Sequence, residues 1–117
     1  MYKVYGVAIG ENSHVEGNRN IAYGENSHAE GSNTIAGSNA AHSEGWDTRA
    51  LGIRSHTEGS STIATATDAH AEGSSTQALS SDSHAEGKNT IAVSSSSHAE
   101  GEGTVTWGAH SHAEGYG

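Results

Sequence analysis

Histidine recurs every fourteen residues along this chain, with glutamate two positions and glycine three positions after it, in eight copies without insertion or deletion. Histidine and glutamate so spaced share one face of a β-strand, because side chains alternate between the two faces. Together they can form ion pairs, exchange protons or bind a metal ion. This His/Glu ladder comprises His14, Glu16, His28, Glu30, His42, Glu44, His56, Glu58, His70, Glu72, His84, Glu86, His98, Glu100, His112 and Glu114.

Two interpretations of the ladder remain open. We favour a structural one, in which identical side chains stack about 4.8 Å apart and hydrogen-bond along the column or between histidine and glutamate. Metal binding is the alternative, since imidazole and carboxylate are common ligands of transition metals. His110 and His112 form a His-x-His pair in the last coil and are the metal candidates. The favoured interpretation predicts neither a metal nor any other cofactor.

Catalysis is not expected from the ladder. A serine precedes most of the histidines, as Ser13 precedes His14. Adjacent residues of a strand point to opposite faces, so such a serine cannot pair with its histidine as nucleophile and base. We therefore predict no catalytic residue and no enzymatic activity.

A second segment follows each ladder histidine by seven residues and reads Asn20-Ile21-Ala22, Thr34-Ile35-Ala36 or similar. Each fourteen-residue unit is therefore strand, turn, strand, turn. Only small residues fit between two strands in so short a coil, so serine, alanine and threonine point inwards and His, Glu and Ile outwards. The sequence predicts an all-β fold: one domain, residues 1–117, that forms a parallel β-solenoid of eight 14-residue coils with two short strands per coil. At about 4.8 Å per coil the rod is about 38 Å long.

The glycine of each unit predicts a backbone constraint. Gly17 and its seven equivalents follow the ladder glutamates at the end of a strand. Glycine is favoured where φ is positive or where two backbones approach closely. We therefore expect a sharp corner at each of these positions.

Composition excludes several partners. The formal charge of −9, with five basic residues, argues against nucleic acid and against an anionic membrane surface. No segment is long and apolar enough to insert into a membrane, and residues 1–5 lack the apolar run of a signal peptide. The absence of cysteine excludes a disulfide framework.

Large apolar residues form two neighbouring columns that this fold would leave outside. Such a stripe exceeds what a monomer usually exposes, so we expect copies of the chain to associate through it. The first column, the predicted interface, contains Val7, Ile21, Ile35, Ile63, Ile91 and Val105. The second contains Ile9, Tyr23, Leu51, Leu79, Val93 and Trp107.

The units Gly6-Val7-Ala8-Ile9-Gly10-Glu11-Asn12-Ser13 and Ser27-His28-Ala29-Glu30-Gly31 resemble the head repeats of YadA-type trimeric autotransporter adhesins, and similar repeats occur in phage tail and fibre proteins. The resemblance implies a left-handed β-roll and a homotrimer with the Val/Ile column towards its axis. It implies a structural or adhesive rod at the bacterial cell surface or in a virion tail, with a host-surface or matrix molecule as ligand. The alternative is a metal-binding or ice-binding β-solenoid.

Overall fold

The computed structural model of the chain describes residues 6–117, and every regular element in that range is a β-strand. The strands form two sheets of eight strands each. One, the His/Glu sheet, consists of β2 (His14–Asn18), β4 (His28–Ser32), β6 (His42–Trp46), β8 (His56–Ser60), β10 (His70–Ser74), β12 (His84–Lys88), β14 (His98–Ala99) and β16 (His112–Ala113). The other, the apolar sheet, consists of β1 (Val7–Ala8), β3 (Ile21–Ala22), β5 (Ile35–Ala36), β7 (Arg49–Ala50), β9 (Ile63–Ala64), β11 (Gln77–Ala78), β13 (Ile91–Ala92) and β15 (Val105–Thr106).

Each strand pairs in parallel with its own copy in the next coil. β4 and β6 align so that His28 lies beside His42. β3 and β5 align Ile21 with Ile35. Backbone hydrogen bonds also join the turns of successive coils, as between Asp47 N and Ser32 O at 3.0 Å. The predicted parallel β-solenoid of fourteen-residue coils with two short strands each is confirmed.

The interior between the sheets contains small side chains, as the alternation predicts. Ala29 and Ala36 are fully buried, and the largest fully buried side chains are threonines and Asn20. Ser43 Oγ lies 2.8 Å from Thr48 Oγ1, within hydrogen-bonding distance across the interior. Asn20 Nδ2 donates to the carbonyls of Glu16 and Gly31 at 2.6 and 2.9 Å. Larger side chains have no room inside and therefore lie outside.

The rod is flat, with Cα extents of 44 × 27 × 11 Å. Its smallest dimension reflects the thin interior, so the outward sides of the two sheets form opposite broad faces. Within residues 6–117 no helix is long and apolar enough to cross a membrane. Residues 1–5, for which we expect no signal peptide, lie outside the described range.

Left-handed backbone recurs at fixed positions of each coil. Gly59 is the fourth residue of β8, so the sharp corner expected at this glycine lies after it, at the bend of Ser61. Gly59 has φ of 100°, and a Cβ built there would lie 2.1 Å from Gly73 O in the next coil. Both reasons proposed for this glycine, positive φ and close approach, therefore apply. Non-glycine residues at two other positions of the coil also have positive φ in most coils, for example Asn26 at 56° and Asn33 at 60°. Asparagine is among the residues that tolerate this conformation best.

We predict that Gly59→Val destabilises the rod far more than Ser60→Val. Valine at position 59 adds left-handed strain and a backbone clash, together about 3 kcal/mol or more. Ser60 occupies the column that contains Trp46 and Lys88, where large side chains are accommodated, and its change should stay within about 0.5 kcal/mol. Denaturant unfolding of both variants measures the difference. Equal stability of the two would refute the steric explanation.

Candidate functional site

The His/Glu ladder lies along one broad face of the rod. In β4 the half-buried His28 and Glu30 flank the fully buried Ala29, so the two ionisable side chains point outwards. The imidazole rings stack with centroids 4.6–4.8 Å apart. Their planes are within 10° of parallel from His28 to His112, whereas His14 is turned by 89° from His28. The parallel register thus makes a continuous column of rings.

Each imidazole from the second coil onwards lies near the carboxylates of the same face. His28 Nε2 is 3.5 Å from Glu16 Oε1 of the preceding coil and 3.7 Å from Glu30 Oε2 of its own coil. His42 Nε2 is 3.5 Å from Glu30 Oε1. Glu30 therefore turns one oxygen to each of two histidines. The same two-sided arrangement recurs at His56, His98 and His112.

The ring nitrogens that face the carboxylates are buried without a hydrogen-bond partner. This holds for Nε2 of His28, His42, His56, His70 and His84, although about a third of each side chain is exposed. At His98 the distance shortens to 3.1 Å and a hydrogen bond to Glu86 forms. Unsatisfied buried polar atoms cost free energy and are uncommon. The ladder therefore has unused capacity to bind a proton or a cation.

Proton affinities along the column follow from this crowding. Burial, followed by the charge of neighbouring histidines, lowers the pKa of His70 and His84. Hydrogen bonding with Glu58 and Glu86 raises the pKa of Glu72 to about 7. Hydrogen bonding with Glu72 and Glu100 lowers the pKa of Glu86 to about 2. Adjacent carboxyls thus share protons, because a row of closely spaced carboxylates resists full ionisation.

A shallow groove of about 560 Å³ runs beside the carboxylates. Its lining residues are Glu44, Gly45, Glu58, Gly59, Glu72, Gly73, Glu86 and Gly87. The glycine column, lacking side chains, leaves this space open along the rod. Solvent and small ions can therefore approach the glutamates from the side.

The two histidines of the His-x-His pair occupy different settings. His112 begins β16 at the end of the ladder, with Nε2 3.4 Å from Glu100 Oε1. His110 lies in the preceding turn, is exposed and has φ of 57°. Their spacing in the sequence resembles that of two residues on one strand, but only His112 belongs to a strand. A metal site formed by this pair stays a prediction.

The opposite broad face is apolar. Ile21, Ile35, Ile63, Ile91 and Val105 of the predicted interface column are half-buried, and Val7 is 50% exposed. In the neighbouring column Ile9 is 58%, Tyr23 49% and Trp107 76% exposed. Arg49 and Gln77 interrupt the first column, and Gly37 and Thr65 the second. The two columns together define the apolar face.

Two ion pairs outside the ladder, each joining neighbouring coils, were not foreseen from the sequence. Arg54 forms a two-pronged ion pair with Asp68, at 2.7 and 2.6 Å. Lys88 Nζ lies 3.0 Å from Glu102 Oε1. In both pairs the partners are fourteen residues apart. The sequence signal that could have predicted these ion pairs is two opposite charges fourteen residues apart.

Comparison of the chain with protein-family models, with curated proteins and with solved structures gives no match. The resemblance to YadA-type head repeats rests on the sequence units quoted above and stays a prediction.

We predict that Glu72→Gln changes how stability depends on pH. The pKa of Glu72 is raised to about 7, so its contribution is fully present below the unfolded value near 4.5 and is lost as pH rises through about 7. Glutamine stays neutral throughout. Relative to the parent, the variant should therefore gain melting temperature as pH is raised from about 5 to about 8.

Glu25→Gln is the matched control, because Glu25 is exposed in a turn outside the ladder. It should leave the shape of the pH profile unchanged. Melting curves of Glu72→Gln that run parallel to those of the parent would show that the carboxyls titrate independently.

Proposed function

We propose that this chain is a non-catalytic structural and adhesive rod of a trimeric surface adhesin or a phage tail fibre. In this proposal three copies lie side by side with their apolar faces towards the common axis. The observation that supports it most is the apolar face, whose largest side chains lie outside the solenoid. The sequence resemblance supplies the trimeric arrangement.

The energetics favour covering this face. The interior of one chain buries alanine, serine and threonine, which contribute little apolar area per coil. Complete burial of an isoleucine, leucine or valine side chain stabilises a protein by about 1.5–3 kcal/mol. In the single chain, part of the apolar area of these side chains is still exposed to water. Association would therefore add a large share of the total stability.

The polar interruption of the first column is compatible with an interface. Arg49 Nη2 lies 3.6 Å from Asp47 Oδ1 in the same chain, so its charge has a partner before any association. Gln77 is uncharged and can hydrogen-bond across an interface. Neither residue leaves an unpaired charge on the apolar face.

The proposed setting is the bacterial cell surface or a virion tail. A stack of identical coils gives length and stiffness, since each coil is hydrogen-bonded to the next through both sheets. The partner would be a host-surface or matrix molecule, bound by the outer surface of the assembly. The net charge of −9 argues against nucleic acid as that partner.

Ice binding receives no support from the geometry. An ice-binding solenoid needs a flat outward array of threonines, whereas Thr34, Thr48, Thr62, Thr76 and Thr90 are fully buried. The His/Glu ladder and the apolar columns occupy the two outward faces instead. Metal binding rests on separate observations of the ladder and is independent of the rod's assembly.

We predict that Ile63→Asp splits the assembly. An unpaired carboxylate buried between chains costs several kcal/mol. Ser74→Asp is the matched control, because it adds the same charge to an exposed position at the end of β10 on the other sheet. Sedimentation equilibrium should give a trimer for the parent and Ser74→Asp, and a monomer or unfolded chain for Ile63→Asp. A fully trimeric and equally stable Ile63→Asp protein would place the interface elsewhere.

A further inference from the structure

The buried ring nitrogens of the ladder face oxygens that a metal ion could bind together with them. Groups such as His28, Glu30 and His42 bring one ligand atom each within 4.8 Å of one another, and equivalent groups recur along the rod. Nε2 of His28 and of His42 has no hydrogen-bond partner. This unmet capacity is a second observation, separate from the clustering of acidic groups.

The distances suit a small, four-coordinate ion. Zinc binds nitrogen and oxygen at about 2.0–2.2 Å, which places neighbouring ligands of a tetrahedron about 3.4 Å apart. Nε2 of His28 lies 3.5 Å from Glu16 Oε1 and 3.7 Å from Glu30 Oε2. Both distances from the ring nitrogen are therefore close to the separation of neighbouring ligands around a four-coordinate zinc ion. At the equivalent site His56 Nε2 lies 3.5 Å from Glu44 Oε1 and 3.9 Å from Glu58 Oε2, and the open groove beside these two glutamates leaves a fourth direction for water.

One ring serves one ion in this geometry. The planes of His28 and His42 are 2° from parallel, so their nitrogen lone pairs point in the same direction and not towards each other. Each proposed site therefore consists of one histidine, the glutamate of its own coil and the glutamate of the coil before it. Both carboxylates already lie within 4 Å of Nε2 at His28, His42, His56, His98 and His112. Imidazole together with carboxylate selects zinc-like transition metals over calcium and magnesium, which prefer oxygen alone.

The histidine and glutamate of one coil form one rung of the ladder. Charge limits how many rungs can each hold an ion. Two carboxylates and one neutral imidazole neutralise a divalent ion, whereas filling every rung would make adjacent ions share carboxylates at the 4.8 Å spacing of the coils. Mutual repulsion then opposes the additional ions. The eight ladder glutamates, used two per ion, hold about four ions per chain.

We propose that the His/Glu ladder is a binding site for a row of zinc-class divalent ions, one at every second rung, each cross-linking two successive coils. The proton is the competing occupant, because imidazole and carboxylate ligands have to be deprotonated to bind an ion. Because the ladder is on the face opposite to the apolar columns, the proposal does not depend on trimer formation. An ion that binds the folded rod alone raises its melting temperature.

The test is a zinc titration of the full chain without a polyhistidine tag, followed by calorimetry at neutral pH, with magnesium in parallel. We expect about four zinc ions per chain, little magnesium binding and a higher melting temperature with zinc. Cobalt should give the intense visible absorption of a four-coordinate site. Equal binding of magnesium and zinc would overturn the proposal, because it would show only counter-ions around an acidic surface.

The variant His56→Gln/His70→Gln removes two neighbouring rungs, so at least one ion should be lost whichever alternate set is filled. His110→Gln is the matched control, since His110 is an exposed histidine outside the ladder, and it should bind as many ions as the parent. Unchanged zinc stoichiometry in the double variant would overturn the proposal. If that variant fails to fold, a six-coordinate cobalt spectrum of the parent would overturn it independently.

Discussion

The parallel stacking of identical coils is the constraint on which the rest of this structure depends. Backbone hydrogen bonds run from each coil to the next at the same positions, for example from Ile35 N to Thr48 O and from His42 N to Ser55 O, both at 2.9 Å. This stacking brings Gly59 so close to Gly73 that no side chain fits between them. It also favours strands of constant length, because one residue added within a strand would shift the rest of that strand's side chains to the opposite face.

Because the coil is thin, the ionisable and the large apolar side chains lie on its surface. With alanine, serine and threonine filling the interior, imidazole, carboxylate and isoleucine side chains can lie only on the outward faces. One broad face carries the ladder and the other the apolar columns, and neither forms a deep pocket in the described residues. The proposed association and the proposed ion binding are therefore separable: the first depends on removal of apolar area from water, and the second on charge and ligand geometry.

The fold could be predicted because the same fourteen-residue pattern recurs eight times, and each copy indicates the same order of strands and turns. The position of Ala29 inside and of His28 and Ile35 outside followed from alternation together with side-chain size. The division of the Glu30 oxygens between His28 and His42 did not follow, because it depends on side-chain rotamers within the stack. Nor did the left-handed backbone of Ala40 and His110, which ordinary residue preferences disfavour and the repeated corner imposes.

The most direct test of the rod account is acrylamide quenching of its two tryptophans, measured separately in Trp46→Phe and Trp107→Phe. Trp107 belongs to the apolar face and is 76% exposed in the single chain, whereas Trp46, 58% exposed, lies at the end of β6 on the His/Glu sheet. If copies of the chain associate through the apolar face, Trp107 should be quenched more slowly than Trp46, the reverse of the order that the single chain gives. Faster quenching of Trp107 than of Trp46 would contradict the account.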